Sequence, residues 1–258
     1  MTDRSEAPVS MTLTRRLAAD GCDVRRMLPP AALIEDLIAL ATAHADALDI
    51  GFTRLDTRGR LWVLGRLAVE MTRWPAMYDE YSISTRVISF NRLFSERCFD
   101  ISVDGQPAGE SRTVWTSIYA DSRRQADLSD VVAGFTAFSD RQPLMAPVAK
   151  IKPVAEGLKR FAGYTFGVTD LDFNGHVTTK RYIELMLNCV SLDEYRTMSL
   201  RRFDLLFHRE ALCGDRVDLM MERNDDNADG TVTFTVELIG ANSLTLHSTA
   251  RFILVPEA

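Results

Sequence analysis

The chain has 258 residues, enough for one large domain or two small ones. Hydrophobic residues make up 46% and charged residues 26%, a globular balance that excludes disordered, collagen-like and coiled-coil classes. A formal net charge of −6 argues against a nucleic-acid partner, because phosphate contacts need clustered Lys and Arg.

Met1-Thr2-Asp3-Arg4-Ser5-Glu6 has no basic region followed by an apolar run, so no signal peptide is expected. A short strand comes first, near residues 12–17. A helix follows over about 29–48, with Pro29 and Pro30 at its start, where a missing N–H costs nothing. Leu37, Leu40, Ala41, His44 and Leu48 form one stripe, widened by Leu33, Ile34 and Ile38, so the helix expects cover on several sides. Glu35, Asp36, His44 and Asp46 make this segment wrong for a membrane span. Four strands are expected next, near 61–71, 81–89, 97–103 and 110–120. Asp104-Gly105 marks a hairpin turn after the third. Residues 121–156 carry Pro143, Pro147 and Pro153 and little periodicity. They read as a long crossover with room for one short helix.

The pattern then repeats. A strand near 161–168 leads to a helix near 179–190, on which Tyr182, Leu185, Met186, Cys189 and Val190 share a face widened by Ile183 and Leu187. Four more strands are expected near 200–208, 216–222, 231–239 and 243–254. Val232, Phe234, Val236 and Leu238 alternate with polar residues in the third. The order is strand, helix and four strands, twice: an α+β pattern, with each sheet curled around its helix. The expected division is 1–135 for the first unit, 136–156 for the linker and 157–258 for the second.

The four cysteines, Cys22, Cys98, Cys189 and Cys213, form no C-x-x-C pair, which excludes zinc-ribbon and thioredoxin readings. Nor does their number suit a secreted disulfide scaffold, so a cytoplasmic protein is expected.

The densest polar cluster is Asp170-Leu171-Asp172-Phe173-Asn174-Gly175-His176-Val177, between a strand and a helix start. In an extended segment Asp172, Asn174 and His176 would point to one side. The next helix would add free N–H groups and a positive dipole end beside them. A carboxylate, an amide, an imidazole and such a helix end can bind a carbonyl and activate water. The same residues also suit a polar loop in which Asp172 or Asn174 caps the helix.

From Thr169 through Val177, followed by Tyr182-Ile183-Glu184, the sequence resembles the signature of acyl-(acyl carrier protein) thioesterases, approximately D-L-D-x-N-x-H-V-N-N-x-x-Y-I. Segments 59–64, 73–75, 97–99 and 114–115 match that family's N-terminal half in order and spacing. His208-Arg209-Glu210, followed by Gly214-Asp215, matches its R-R-E segment. The resemblance implies a tandem hot-dog fold and hydrolysis of the acyl carrier protein thioester, ending fatty-acid elongation. It implies no metal or organic cofactor, and either a monomer or a homodimer. The acyl cavity would lie between the first helix and its sheet, with Trp62, Met71, Phe99 and Trp115 as wall candidates; each also suits ordinary core.

Carried over by position, the catalytic candidates are Asp172, Asn174, His176 and Glu210. Glu210 or His176 would be the base. Asn174 and the amides of Val177, Thr178 and Thr179 would hold the carbonyl, and Asp172 would orient its neighbours. Without the resemblance, Glu210 reads as a solvated charge at a strand end. Two departures stand out. The Cys that follows this Glu in many members is Ala211 here, which favours activated water over a cysteine nucleophile; Cys213 is offset. The family's Asn-Asn is Thr178-Thr179, and Thr still suits a helix cap. Rival readings are hydrolysis of acyl-coenzyme A and a non-catalytic acyl-binding protein.

Other signals carry less. Asp225-Asp226-Asn227-Ala228-Asp229-Gly230 imitates a calcium loop, but its closing position holds Val236 rather than Glu, so a hairpin turn is expected. His44 reads as a satisfied core histidine, with an acyl-tunnel wall as the alternative, and His247 as part of a solvated strand face. Alternation places His208 on the same strand face as Glu210. Arg15-Arg16, Arg123-Arg124, Lys159-Arg160 and Arg201-Arg202 read as solvated basic pairs, one of which would suit an acidic carrier protein.

Overall fold

A computed structural model describes residues 8–148, 151–152, 157–225 and 227–257. The segment Met1–Glu6, Pro153 of the crossover and Asp226 of the acidic turn lie outside the described residues.

Among the described residues ten strands form one antiparallel sheet: β1 Ser10–Arg16, β2 Arg60–Met71, β3 Glu80–Phe90, β4 Phe94–Val103, β5 Gln106–Tyr119, β6 Lys159–Thr165, β7 Met198–Phe207, β8 Arg216–Asn224, β9 Val232–Gly240 and β10 Leu246–Pro256. Their order across the sheet is β1-β3-β4-β5-β2-β7-β10-β9-β8-β6. The first five strands therefore fill one half and the last five the other. The seam is β2 against β7, where Arg66 faces Leu206 and Glu70 faces Arg202. Arg202 binds Asp204 beside it and Glu70 across it, so this basic pair braces the seam.

The helices are α1 Pro30–Ala47, α2 Phe52–Asp56, α3 Ser129–Val132, α4 Thr179–Leu187 and α5 Leu192–Thr197. Pro30 opens α1 at its first turn. Leu33, Ile34, Leu37, Leu40, Ala41 and His44 are all buried on it. α1 packs against β1, β3 and α4, so one apolar core runs through both halves. In the second half Phe234 and Phe203 stack on either side of Phe252, with ring centroids 4.9 and 5.7 Å from it.

Most expected elements are present, and the differences have local causes. α4 stops at Leu187 rather than Val190, because Ser191 caps the next helix with a Ser191–Glu194 capping box. The last strand begins at Leu246 rather than 243, since Leu244 at φ 56° belongs to a turn. Asp104 and Gly105, at φ 50° and 75°, make the expected hairpin turn. The acidic segment is also a turn: Gly230 sits at φ 75° and its N–H bonds Asn227 O.

Candidate active site

β6 ends at Thr165, and a short 3-10 turn, Val168–Asp170, carries the chain into the polar cluster. Asp170 anchors it. Its buried carboxylate accepts hydrogen bonds from the Gly167 amide (2.8 Å), the Tyr164 hydroxyl (3.1 Å) and Arg181 Nε (2.6 Å). Burial alone would raise its pKa, but these three donors outweigh that and hold the carboxyl below its ordinary value.

The cluster itself is curled, which corrects the extended reading. Asp172 Oδ1 accepts the backbone N–H groups of Asn174 (2.8 Å) and His176 (3.0 Å), while the Asp172 N–H donates to His176 O (2.7 Å). Gly175 makes the bend at φ 80°. Asp172 is therefore the residue that shapes the loop. Neither it nor Asn174 caps the helix: Thr178 does, accepting the Arg181 N–H at 3.2 Å. Replacing Thr178 with Ala should cost about 1 kcal/mol in a denaturant melt.

Two of the expected carbonyl-binding amides are occupied. The Val177 N–H donates to Ala211 O (3.0 Å) and the Thr178 N–H to Asp170 O (2.8 Å). Among the described residues, the open donors at this helix start are the amides of Thr179 and Lys180.

β7 ends at Phe207, so His208 and Glu210 do not share a strand face. His208 Nε2 lies 3.1 Å from Thr249 Oγ1 instead. Glu210 stands in the bend that follows, and its Oε2 lies 3.4 Å from His176 Nε2. Its other oxygen is bound by Arg123, which follows β5 in the opposite half and is held at φ 56°. Arg123 is thus exposed as expected but ion-paired, and nothing in its own neighbourhood could have revealed this partner. His247 is buried rather than solvated, and donates Nδ1–H to Glu210 O at 3.0 Å. The register shifts between Leu246 and Ser248, and this bulge carries His247 off the alternation.

Burial lowers the His176 pKa, and the positive charge of Arg123 lowers it further, against a smaller opposing effect of Asp172. A neutral imidazole, a carboxylate and a guanidinium therefore meet where the two halves join.

They border a cavity of about 310 Å³. Asp172, Asn174, His176, Glu210, Val177 and Thr179 line it, whereas Thr178, turned to its cap, does not. Phe173, Tyr182, Phe207 and Arg209 complete the wall on this side, and the rest comes from the first half, including Ile38 and Ala41 of α1, Leu61–Leu64 of β2 and Trp115 of β5. Trp62 and Trp115 are therefore wall residues. Their indole N–H groups donate to Ile50 O and Thr113 Oγ1, both at 2.8 Å, leaving the rings apolar toward the space. Met71 and Phe99 are ordinary core, and His44 is a fully buried core histidine. Cys213 is exposed and not part of the lining. Among the described residues, no cluster of His, Cys, Asp or Glu could hold a metal ion.

The family model for the acyl-ACP thioesterase N-terminal domain matches residues 15–135, and that for the C-terminal domain matches residues 155–249. The chain belongs to the acyl-ACP thioesterase family. It is 28% identical over 207 residues to an oleoyl-acyl carrier protein thioesterase of Arabidopsis thaliana, covering 74% of this chain and 54% of that protein. An oleoyl-acyl carrier protein thioesterase of Coriandrum sativum is 27% identical over 209 residues, with 74% and 55% covered. The chain spans about half the length of these curated relatives. Among solved structures, an acyl-ACP thioesterase from Bacteroides thetaiotaomicron superposes with a TM-score of 0.82 at 27% identity, over 95% of this chain and 97% of that one. A 12:0-ACP thioesterase from Umbellularia californica gives 0.84 at 17% identity over 96% and 95%, a likeness of fold. The α+β architecture is thus the tandem hot-dog of this family. No helix among the described residues is long and apolar enough to cross a membrane.

Proposed function

We propose that this chain hydrolyses the thioester of acyl-acyl carrier protein, releasing free fatty acid and ending chain elongation. The observation that carries this reading is the continuity of one cavity. Its largely apolar walls come from α1, β2 and β5 with Tyr182 and Phe207 of the second half, Ser95 and Arg97 of β4 also line it, and its rim holds Asn174, His176 and Glu210. An acyl chain in the first half would present its thioester to the polar groups of the second.

In this reading His176 is the base. Glu210, already bound by Arg123, is a weakened base but a good orienting group. It takes the Nε2–H of His176, leaving Nδ1 to accept a proton from water. The resulting hydroxide adds to the thioester carbon. Asn174 and the amide of Thr179 take the developing oxyanion, a duty worth on the order of 10²–10³ in rate for each donor. On collapse the C–S bond breaks, and the imidazolium returns its proton to the departing thiolate. Asp172 shapes the loop that carries Asn174 and His176.

No cysteine is needed. Ala211 is buried directly after Glu210, and Cys213 lies outside the cavity. Cys213→Ala should accordingly leave thiol release from acyl carrier protein within about twofold of wild type; a complete loss would restore a cysteine nucleophile. All four cysteines are free thiols, which suits a reducing cytoplasm. Both halves of the site lie in one chain, so a monomer would suffice, and light scattering would separate it from a homodimer.

The deciding experiment measures thiol release from acyl carrier protein and from coenzyme A bearing the same acyl groups of graded length. Preference for the carrier protein supports the proposal. Preference for coenzyme A moves the substrate to that carrier, and release from neither leaves an acyl-binding protein.

A further inference from the structure

The cavity does not end in hydrocarbon. Its lining on β4 is Ser95 and Arg97, both 4% exposed. Ser95 pairs across the sheet with Trp115 of β5, which pairs in turn with Leu64 of β2. The two side chains thus stand two strands beyond β2, about 10 Å farther from the half that holds His176.

Among the described residues Arg97 has no counter-ion. Glu96 beside it binds Arg112, and Asp100 binds Arg86 and Arg141. What Arg97 does bind is neutral. Its Nη1 donates to His44 Nδ1 at 2.7 Å and lies 3.4 Å from Thr85 Oγ1. His44 is fixed as the tautomer that accepts there, because its Nε2–H donates to Pro8 O at 2.9 Å. Burial lowers the Arg97 pKa to about 10, which still leaves it cationic at neutral pH. Nε and Nη2 have no partner among the described residues. They form the side of the guanidinium that matches both oxygens of one carboxylate. The Ser95 hydroxyl is also without a partner there.

A desolvated guanidinium is costly unless an anion or a set of acceptors meets it. A terminal methyl group meets neither need. Resting on the thioesterase reading above, we propose that Arg97 and Ser95 form a subsite for an oxygen-bearing chain end, a carboxylate above all. The favoured substrate class is then an acyl thioester whose far end is acidic rather than a plain hydrocarbon chain.

The test uses non-hydrolysable pantetheine thioethers of matched chain length, ending in methyl, hydroxyl or carboxylate. Their binding to the full chain is measured by calorimetry. The carboxylate-ended ligand should bind about tenfold or more tighter than the methyl-ended one. Arg97→Met should reverse that order, and Arg97→Lys, which keeps the charge but loses the fork, should keep a reduced preference. Ser95→Ala, a small change, covers the case in which Arg97→Met does not fold, and should weaken only the oxygen-bearing ligands. Equal or tighter binding of the methyl-ended ligand by wild type, or a preference untouched by both Arg97→Lys and Ser95→Ala, overturns the subsite. Turnover of methyl-ended acyl carrier protein separates the two readings. Hydrolysis without a carboxylate preference removes only the subsite, whereas carboxylate-selective binding without any hydrolysis removes only the thioesterase activity.

Discussion

His176→Ala should lower kcat by about 10²- to 10⁴-fold while leaving the unfolding midpoint close to that of wild type. The imidazole is partly buried at the cavity rim, and its contact with Glu210 is 3.4 Å long, so little packing depends on it. What is lost is proton transfer from water. Glu210→Ala should cost nearly as much, because an imidazole without an orienting carboxylate presents the wrong nitrogen to water for part of the time. The two losses should not add, since both residues serve one proton transfer. Thiol release under single-turnover conditions, beside a circular-dichroism melt, is the measurement. Near-wild-type turnover in either variant removes that residue from the mechanism, and a double variant far slower than both singles breaks the link between them.

The fold is legible in the sequence wherever one side of an element meets the core and the other does not. Residues 231–239 alternate because β9 is half-buried: Val232, Phe234, Val236 and Leu238 are buried, and Thr233 and Thr235 are only partly so. The stripe on α1 is legible for the same reason at helical spacing. Legibility fails where the period is broken by something local to the fold. One bulge moves His247 off its expected face, and one turn at Leu244 shortens β10.

The site divides along similar lines. Asp172, Asn174 and His176 are neighbours in sequence, so their grouping at the cavity follows from composition, although the reason for it does not. Extension was the expected cause, and an Asp172-centred turn is the actual one. The amides of Val177 and Thr178 were expected to be open because helix starts leave donors free. The backbone instead uses them to tie the loop to Ala211 and Asp170. Arg123 and Arg97 were illegible as site residues. Their partners lie on other elements of the same half, as His44 of α1 does for Arg97, or in the opposite half, as Glu210 does for Arg123, and only the tertiary fold brings them to one space.

Arg123→Gln tests that missing part most sharply. It should lower kcat/KM by about 10- to 100-fold, the cost of a base whose orienting carboxylate is no longer held. It should also move the pH profile, and the sign follows from the charges. In the wild type, burial first and the Arg123 cation second depress the His176 pKa, with Asp172 opposing them. Removing the cation raises that pKa toward its ordinary value. A base must be neutral to accept a proton, so activity fails as pH falls through its pKa. The acid limb of kcat/KM should therefore lie at higher pH in the variant than in wild type. Arg123→Lys separates the two contributions: it keeps the charge, and so the position of the limb, but loses the planar fork that holds Glu210, and so part of the rate. An unmoved limb in Arg123→Gln means that His176 is not the titrating base. A moved limb with unchanged rate at high pH means that Arg123 acts on the His176 charge state alone and does not hold Glu210 in place.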